Sequence, residues 1–130
     1  MNQPAEVPQF DLLAASLRAQ SSDLNTFVEA LAVKLEEAVP GLVEVERSRG
    51  GLRGRRRVRM LAVDAGGDHL MLVCDGGDVE ARRARVSGGI VLKSEPIEID
   101  EWTAAVSSAL AREAASNGRT REALERLLMA

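Results

Sequence analysis

Three glycine pairs divide the middle of the chain into runs of strand length, at Gly66-Gly67, Gly76-Gly77 and Gly88-Gly89. Two-residue hairpin turns need backbone angles with positive φ, and glycine adopts these angles without steric cost. Each pair therefore predicts a tight turn that joins two antiparallel neighbours. Parallel strands would need much longer crossover connections, so the spacing predicts an antiparallel meander.

Five strands are predicted around these turns, over about Leu42–Ser48, Arg56–Asp64, His69–Cys74, Val79–Val86 and Ile90–Ile99. The segments MLAV and LMLVC are apolar on both faces, which is typical of interior strands. Glu44 and Glu46 alternate with valines in the first strand and Pro96 lies in the fifth, so these two strands are predicted edges. The apolar alternation changes phase at Arg82-Arg83, which predicts a β-bulge there.

Helical periodicity precedes the strands. A short helix is predicted from Asp11 to about Ala19, and a second helix follows it. The second helix buries one stripe, formed by Leu24, Phe27, Val28, Leu31, Leu35 and Val39. Ser21, Ser22 and Asp23 supply capping oxygens for it, unless the two helices fuse into one bent helix.

A helical segment also follows the strands. Asp100 is its predicted N-cap, and the spacing from Trp102 to Val106 places this tryptophan in the core. Asn117-Gly118 either ends this helix, with Thr120 capping a last one, or kinks a single continuous helix, because one glycine costs a helix only about 1 kcal/mol.

These elements predict an α+β fold, an antiparallel five-strand β-meander flanked by N-terminal helices and a C-terminal helical segment. The 130 residues have the length of one domain, so residues 1–130 are interpreted as a single domain with a loose N-terminal arm at 1–8. From GIVLKSEPIEIDEW to REALERLLM the sequence resembles small uncharacterised bacterial proteins of the same plan, a resemblance that implies no function. The architecture also resembles chaperone-like domains that bind partner proteins.

The sequence predicts a cytoplasmic protein. No apolar run approaches the roughly 20 residues of a membrane span, and the first ten residues lack the basic and apolar regions of a signal peptide. Cys74 is the single cysteine, so an internal disulfide framework is excluded.

Seven arginines and no acid lie between Arg47 and Arg59. The chain has a net charge of −3, so setting aside the seven positive charges of this segment leaves −10 for the rest. If residues 50–54 form a hairpin loop, Arg49 faces Arg55, Arg47 faces Arg57 and Val45 faces Arg59. Five arginines then share one face of the hairpin end: Arg47, Arg49, Arg55, Arg57 and Arg59.

Two interpretations of this arginine face stay open. Charge runs are often only solvated, because water and salt screen their repulsion. Guanidinium groups also suit carboxylate and phosphate, which makes the same five arginines candidate anion-binding residues. An acidic protein partner or the acidic remainder of a second copy fits them. Nucleic acid is the less favoured partner. Single strands need aromatic residues for base stacking, and these amount to only 2%, whereas binding to a duplex or to the phosphate backbone stays open.

No enzyme, cofactor or metal site is predicted. His69 and Cys74 are the sole histidine and cysteine. They lie five residues apart on one predicted strand, so their side chains point to opposite faces and cannot form a nucleophile–base pair. Aspartates beside the turn glycines are typical of turn chemistry. The sequence contains no P-loop, dinucleotide fingerprint or metal-ligand spacing.

Homodimerisation is a further prediction. Two-sided apolar strands need cover on both faces, and the helices can leave one face bare. That face is expected to hold Val58, Met60, Ala62, Met71 and Val73, a patch that a second copy could cover. The interpretation favoured by the sequence is a non-enzymatic protein-interaction or chaperone-like module with a basic hairpin at 47–59. Its alternative is a nucleic-acid or phosphate-binding protein that uses the same hairpin.

Overall fold

The computed structural model describes residues 10–48 and 56–129. Its helices are α1 (Phe10–Gln20), α2 (Leu24–Ala38), α3 (Ile99–Ser116) and α4 (Gly118–Met129), and its strands are β1 (Val43–Arg47), β2 (Val58–Ala65), β3 (Asp68–Asp75), β4 (Asp78–Ser87) and β5 (Ile90–Ile97). The predicted α+β fold is confirmed, with helices before and after the strands. The predicted loose arm at 1–8 lies outside the described residues.

The five strands form one antiparallel sheet in the order β1-β2-β3-β4-β5, so the meander and its two edge strands are confirmed. Glycine makes the turns possible. Gly76 and Gly77 have φ of 59° and 102°, and Gly88 and Gly89 have φ of 58° and 80°. Two successive positive angles characterise the type I′ turn, whose twist matches that of a hairpin.

The N-terminal helices are separate. The carboxylate of Asp23 accepts the N–H of Thr26 at 2.8 Å, which satisfies one of the donors left free at the start of α2. The same hydrogen bond is the main reason that the pKa of Asp23 is lowered. Val39 is the C-cap residue, directly before Pro40-Gly41, and glycine and proline just after the last turn are typical of a helix C-terminus.

The C-terminal caps differ from the sequence prediction. Helix α3 begins at Ile99 with Glu98 as its N-cap residue, two residues before the predicted cap at Asp100. Asn117, and not Thr120, caps α4, because its Oδ1 accepts two backbone N–H groups at 3.0 and 3.2 Å. Asn117 is itself extended, with φ −143° and ψ 108°, so the segment consists of two helices.

One hydrophobic core lies between the sheet and the helices. Every second residue of the central strands enters it, namely Leu61, Val63, Leu70, Leu72 and Ala81. Trp102 is completely buried in the same core, as its spacing predicts. Burying a large apolar side chain contributes roughly 1.5–3 kcal/mol, so this layer accounts for most of the stabilisation of the fold. The face of the sheet that carries these residues is called the inner face below.

The predicted bulge at Arg82-Arg83 is wrong, because β4 pairs with β3 without interruption from Asp68↔Arg85 to Asp75↔Asp78. Arg83 lies on the inner face instead. Its guanidinium approaches Asp68 at 3.9 Å and Glu101 of α3 at 3.6 Å. A charged residue on the inner face therefore interrupts the apolar alternation of the sequence in the same way as a β-bulge would. The register shift lies further along, between Arg85 and Val86, where Val86 pairs with Val91 and Leu92 is the extra residue.

Candidate interaction surfaces

The base of the arginine segment is built differently from the predicted hairpin. Val45 pairs with Leu61 and Arg47 pairs with Val58, with a register shift between Glu46 and Arg47. Ser48, not Arg47, lies opposite Arg57, since its N–H donates to the Arg57 carbonyl at 2.7 Å. The predicted pairs Arg47–Arg57 and Val45–Arg59 are therefore wrong. Arg49 and Arg55 lie outside the described residues, so their predicted pairing is untested.

Arg47 is bound within the fold. Its Nη1 and Nη2 donate to the two carboxylate oxygens of Glu36 on α2, at 3.0 and 2.7 Å. A bidentate bridge of this kind is the strongest arrangement open to an arginine and a carboxylate. The hydrogen bond from Arg47 lowers the pKa of Glu36, and the bond to Glu36 raises the pKa of Arg47. Arg47 therefore ties β1 to α2.

Two further polar contacts continue this connection between α2 and the same end of the sheet. Glu29 accepts the backbone N–H of Val58 at 2.7 Å, and Asn25 donates to the carbonyl of Gly77 at 2.9 Å. Together with the Arg47–Glu36 bridge they form a row that we call the α2 seam. The seam satisfies the Val58 N–H, where the pairing of β1 and β2 ends, and the Gly77 carbonyl in the β3–β4 turn.

Sequence reasoning missed the seam, because the glutamates of α2 lie largely off its buried stripe, and residues in such positions are expected to be solvated. One signal was present. Glu29 and Glu36 are seven residues apart, which places them on the same side of a helix two turns apart. Two acids in line beside a buried stripe, together with a strand end rich in arginine, are compatible with a helix-to-strand salt bridge.

The remaining described arginines of the segment, Arg56, Arg57 and Arg59, are exposed. Within residues 10–48 and 56–129 none of them takes part in an ion pair. The charge of Arg57 adds a smaller effect to the lowered pKa of Asp23, after the hydrogen bonds of that carboxylate and its desolvation. These three side chains thus carry positive charge at the start of β2, next to the start of α2.

The opposite, outer face of the sheet carries a second candidate surface. Its apolar centre consists of Met60 and Ala62 on β2, Met71 and Val73 on β3, and Ala84 on β4. Met60, Met71 and Val73 are half-buried in the single chain, although none of them belongs to the core that the helices cover. No helix among the described residues covers this outer face, and we call its apolar centre the outer patch.

Val58 is an exception to the predicted patch. It is 4% exposed and belongs to the inner core. The register shift between β1 and β2 moves Val58 to the inner face, opposite Arg47. The other four predicted residues do share the outer face, because Met60 pairs with Val73 and Ala62 pairs with Met71.

Charged side chains border the outer patch on two sides. Glu44 and Glu46 on β1 lie opposite Ala62 and Met60, and both are exposed. Arg82 on β4 lies opposite Met71. Its guanidinium donates to Ser94 at 2.9 Å and to Glu80 at 3.1 Å. The outer face is therefore acidic along β1, apolar over β2 and β3, and carries a cation on β4.

The tip of the last hairpin carries a further apolar group. Ile90, Val91 and Leu92 are 65%, 58% and 62% exposed. They belong to β5, an edge strand, and edge strands offer unpaired backbone groups to other chains. Lys93, Pro96 and the register shift at Leu92 limit such pairing to a short stretch.

The described residues bring no catalytic constellation together. His69 lies on the outer face beside Asp64 and Cys74 lies on the inner face beside Val79, so they cannot act as a pair. Burial raises the pKa of the Cys74 thiol, which opposes nucleophilic reactivity. No group of three or more His, Cys, Asp or Glu residues in the described ranges is placed to hold a metal ion.

Two shallow depressions lie on the described part of the surface. One, of about 240 Å³, lies between α1 and α3 beside Phe27 and Thr103, with the Arg18–Asp100 ion pair (3.9 Å) at its rim. The other, of about 410 Å³, lies beside Asp68, Arg85 and Leu92. Both are open to solvent, unlike the concave, mostly buried sites that hold small ligands.

No protein-family model, curated protein or solved structure matches this chain significantly. Within the part of the chain that the structure describes, no helix is both long enough and apolar enough to cross a membrane.

Proposed function

We propose that this protein is a non-enzymatic protein-interaction module, chaperone-like in architecture, whose main binding surface is the outer face of its sheet. The observation that carries the proposal is the outer patch, which combines half-buried methionines with small residues and charged borders. Contiguous apolar patches of this kind on folded domains mark interaction sites. Methionine suits such a surface, since its flexible thioether side chain adapts to a partner.

The arginines at the start of β2 are the second element of the proposal. Arg56, Arg57 and Arg59 are exposed, and they suit the carboxylates of an acidic partner segment. Arg47 has a different role, because its guanidinium already holds Glu36 in two hydrogen bonds. The proposed anion contact therefore rests on Arg56, Arg57 and Arg59 among the described residues. The predicted cytoplasmic location is part of the same proposal.

The test compares matched variants as affinity baits. Met71→Glu places a charge in the centre of the outer patch, and Val33→Glu places the same charge on α2, at a side chain that is 47% exposed. We expect wild type and Val33→Glu to retain a common set of partners that Met71→Glu loses. Each retained partner is then purified and its affinity measured by calorimetry. Equal capture by all three baits would show that the outer patch is not the binding surface.

Nucleic-acid binding is the second candidate, and the same three arginines favour it. Each phosphate contact releases a counterion, so the logarithm of the affinity falls with the logarithm of salt by about 0.9 per contact for duplex DNA. Three arginines therefore predict a slope of roughly −3 between 50 and 200 mM salt. Fluorescence anisotropy with duplex DNA and with single-stranded RNA measures this slope. No binding at 50 mM salt would exclude the candidate and leave the protein-interaction proposal in place.

A further inference from the structure

The outer face of the sheet has a symmetry that the single chain does not use. Reading across the strands, one row contains Glu44, Ala62, Met71 and Arg82, on β1 to β4 in that order. In the middle of the row the small side chain of Ala62 lies beside the large one of Met71. At its two ends lie an acid, Glu44, and a base, Arg82. Its midline lies between β2 and β3.

We propose that a second copy of this chain occupies the outer face, related by a twofold axis that runs along the β2/β3 midline. This inference rests on the proposed function, since it assigns a partner to the same surface. Rotation about that axis places β1 over β4 of the second copy and β2 over its β3. Glu44 then faces Arg82 of the second copy, and Ala62 faces its Met71. Because the contact is isologous, each pairing occurs twice.

The neighbouring rows support the same axis. Met60 and Val73 are paired on β2 and β3, so rotation sets Met60 over Val73 of the second copy and gives two more apolar contacts. Asp64 and His69 are also paired, so rotation sets Asp64 over His69 of the second copy and His69 over its Asp64. One opposition is unfavourable, that of Glu46 with Glu80 of the second copy. Arg82, which donates to Glu80 at 3.1 Å, partly neutralises it.

The arginines at the start of β2 also face opposite charges in the second copy. The β3–β4 turn, with exposed Asp75 and Asp78, lies at the end of the sheet where β2 begins. Rotation places this turn of the second copy over the region of Arg57 and Arg59. An axis perpendicular to the strands would instead set β1 over β1 of the second copy. Glu44 and Glu46 would then face the same two glutamates of the second copy, and like-charge repulsion disfavours this arrangement.

The geometry gives the contact a plausible size. Packed sheets lie about 10 Å apart with strands aligned within about 30°, a gap that glutamate and arginine side chains can bridge together. Four strands about 4.8 Å apart and roughly seven residues long give a footprint of about 400 Å² per copy. Side-chain relief makes the accessible area larger than the footprint, so the total approaches the roughly 1,000 Å² of a specific interface. Interfaces at this low end of the size range are typically weak and transient, so we look for association at micromolar concentrations of the chain.

Charge reversal tests the axis. Glu44→Arg and Arg82→Glu each turn the facing pairs into like charges, and each variant alone is expected to raise the dissociation constant of the dimer at least tenfold. In an equimolar mixture the facing groups are again opposite in charge, so the two variants are expected to form a heterodimer. Sedimentation velocity over 1–100 µM measures the masses against 14.0 kDa for one chain, and native mass spectrometry identifies the heterodimer.

Controls separate folding from association. Glu37→Arg and Arg112→Glu reverse charges at exposed positions on α2 and α3 and are expected to dimerise as wild type does. Circular dichroism checks that each variant is folded. If Arg82→Glu unfolds, Met71→Glu replaces it and is expected to be monomeric alone and in the mixture.

The outcomes distinguish this inference from the proposed function. A wild-type chain that remains monomeric at 100 µM overturns the dimer, as does a dimer whose two charge-reversed variants fail to associate with each other. If such a monomer still loses a captured partner through Met71→Glu, the proposed function stands with a different occupant. If Met71→Glu changes neither association nor capture, both proposals fail.

Discussion

The Arg47–Glu36 bridge allows a quantitative prediction, because it joins a helix to an edge strand through one pair of side chains. Glu36→Ala and Arg47→Met are each expected to lower the free energy of unfolding, and the double variant is expected to cost little more than either single change. The non-additive part, measured in a double-mutant cycle, is the coupling energy of the bridge.

The exposure of the two side chains sets the magnitude of this coupling energy. The Arg47 and Glu36 side chains are 28% and 38% exposed, so water screens part of the attraction and the full strength of a buried pair does not apply. Exposed pairs contribute about 0.2–1 kcal/mol. Two hydrogen bonds in bidentate geometry place this pair near the upper end, at about 1 kcal/mol. With a urea m-value of roughly 1.5 kcal/mol/M, each single variant shifts the unfolding midpoint by about 0.7 M.

The pH dependence has a definite sign. Because Arg47 lowers the pKa of Glu36 in the folded state, the stabilisation is fully present above the ordinary glutamate pKa of about 4.3. It is lost as the pH falls through the lowered value, where the folded carboxylate takes up its proton. Glu36→Ala removes this part of the acid sensitivity.

The assay is urea unfolding followed by circular dichroism at pH 7 and at a series of values down to pH 2. Glu37→Ala is the matched control, since it makes the same change one residue along α2 at an exposed side chain and reports helix propensity alone. A coupling energy below about 0.3 kcal/mol would refute the argument, because exposed pairs of no consequence lie in that range. Coupling that persists unchanged below pH 3 would also contradict it.

Three further predictions follow from single contacts. Glu29→Ala removes the acceptor of the Val58 N–H and is expected to cost about 1 kcal/mol and to speed amide exchange at Val58, whereas Glu29→Gln keeps an acceptor oxygen; equal exchange in both variants argues against the contact. Gly77→Val is expected to cost roughly 1–3 kcal/mol, because φ at Gly77 is 102°, while Gly76→Asn, where φ is 59°, is expected to be nearly neutral; thermal melts of equal midpoint contradict this difference. Since burial raises the pKa of the Cys74 thiol, an aromatic disulfide reagent at pH 8 is expected to react more slowly with the folded protein than in denaturant, and equal rates count against that burial.

The strand order was predictable from the sequence because turn chemistry is local. A glycine pair that adopts two positive φ angles fixes a hairpin without reference to the rest of the chain. The alternation around Arg83 was not interpretable in the same way. Whether an arginine on a strand marks a bulge or an inward-facing ion pair depends on Asp68 and Glu101, and α3 brings Glu101 to the sheet only in the folded chain.

The predicted register of β1 and β2 was wrong for a related reason. The prediction paired Val45 with Arg59 and Arg47 with Arg57. Val45 instead pairs with Leu61, two residues further along β2, and Arg47 pairs with Val58 after the register shift. A slip of one residue moves side chains to the opposite face of a sheet. The shift leaves Arg59 as an extra residue of β2 and thereby moves Val58 into the core, whereas Arg47 stays on the same side of β1 as Val45 and meets Glu36 of α2. The acid that holds Arg47 lies on another element. The spacing of Glu29 and Glu36 places both acids on one side of α2, but only the folded chain brings Glu36 to β1.

The α2 seam and the outer face are linked through this register shift. By holding Arg47 and the Val58 N–H against α2, the seam uses the charge and the backbone donor on the inner side of the strand end. Arg57, opposite Ser48, then remains exposed at the end of the outer face. A partner that covers Met60 and Met71 therefore meets arginine charge at one end of its contact. The acidic partner and the apolar sheet partner inferred from different parts of the sequence can be one and the same molecule, and a second copy, with Asp75 and Asp78 at the corresponding end, meets both requirements.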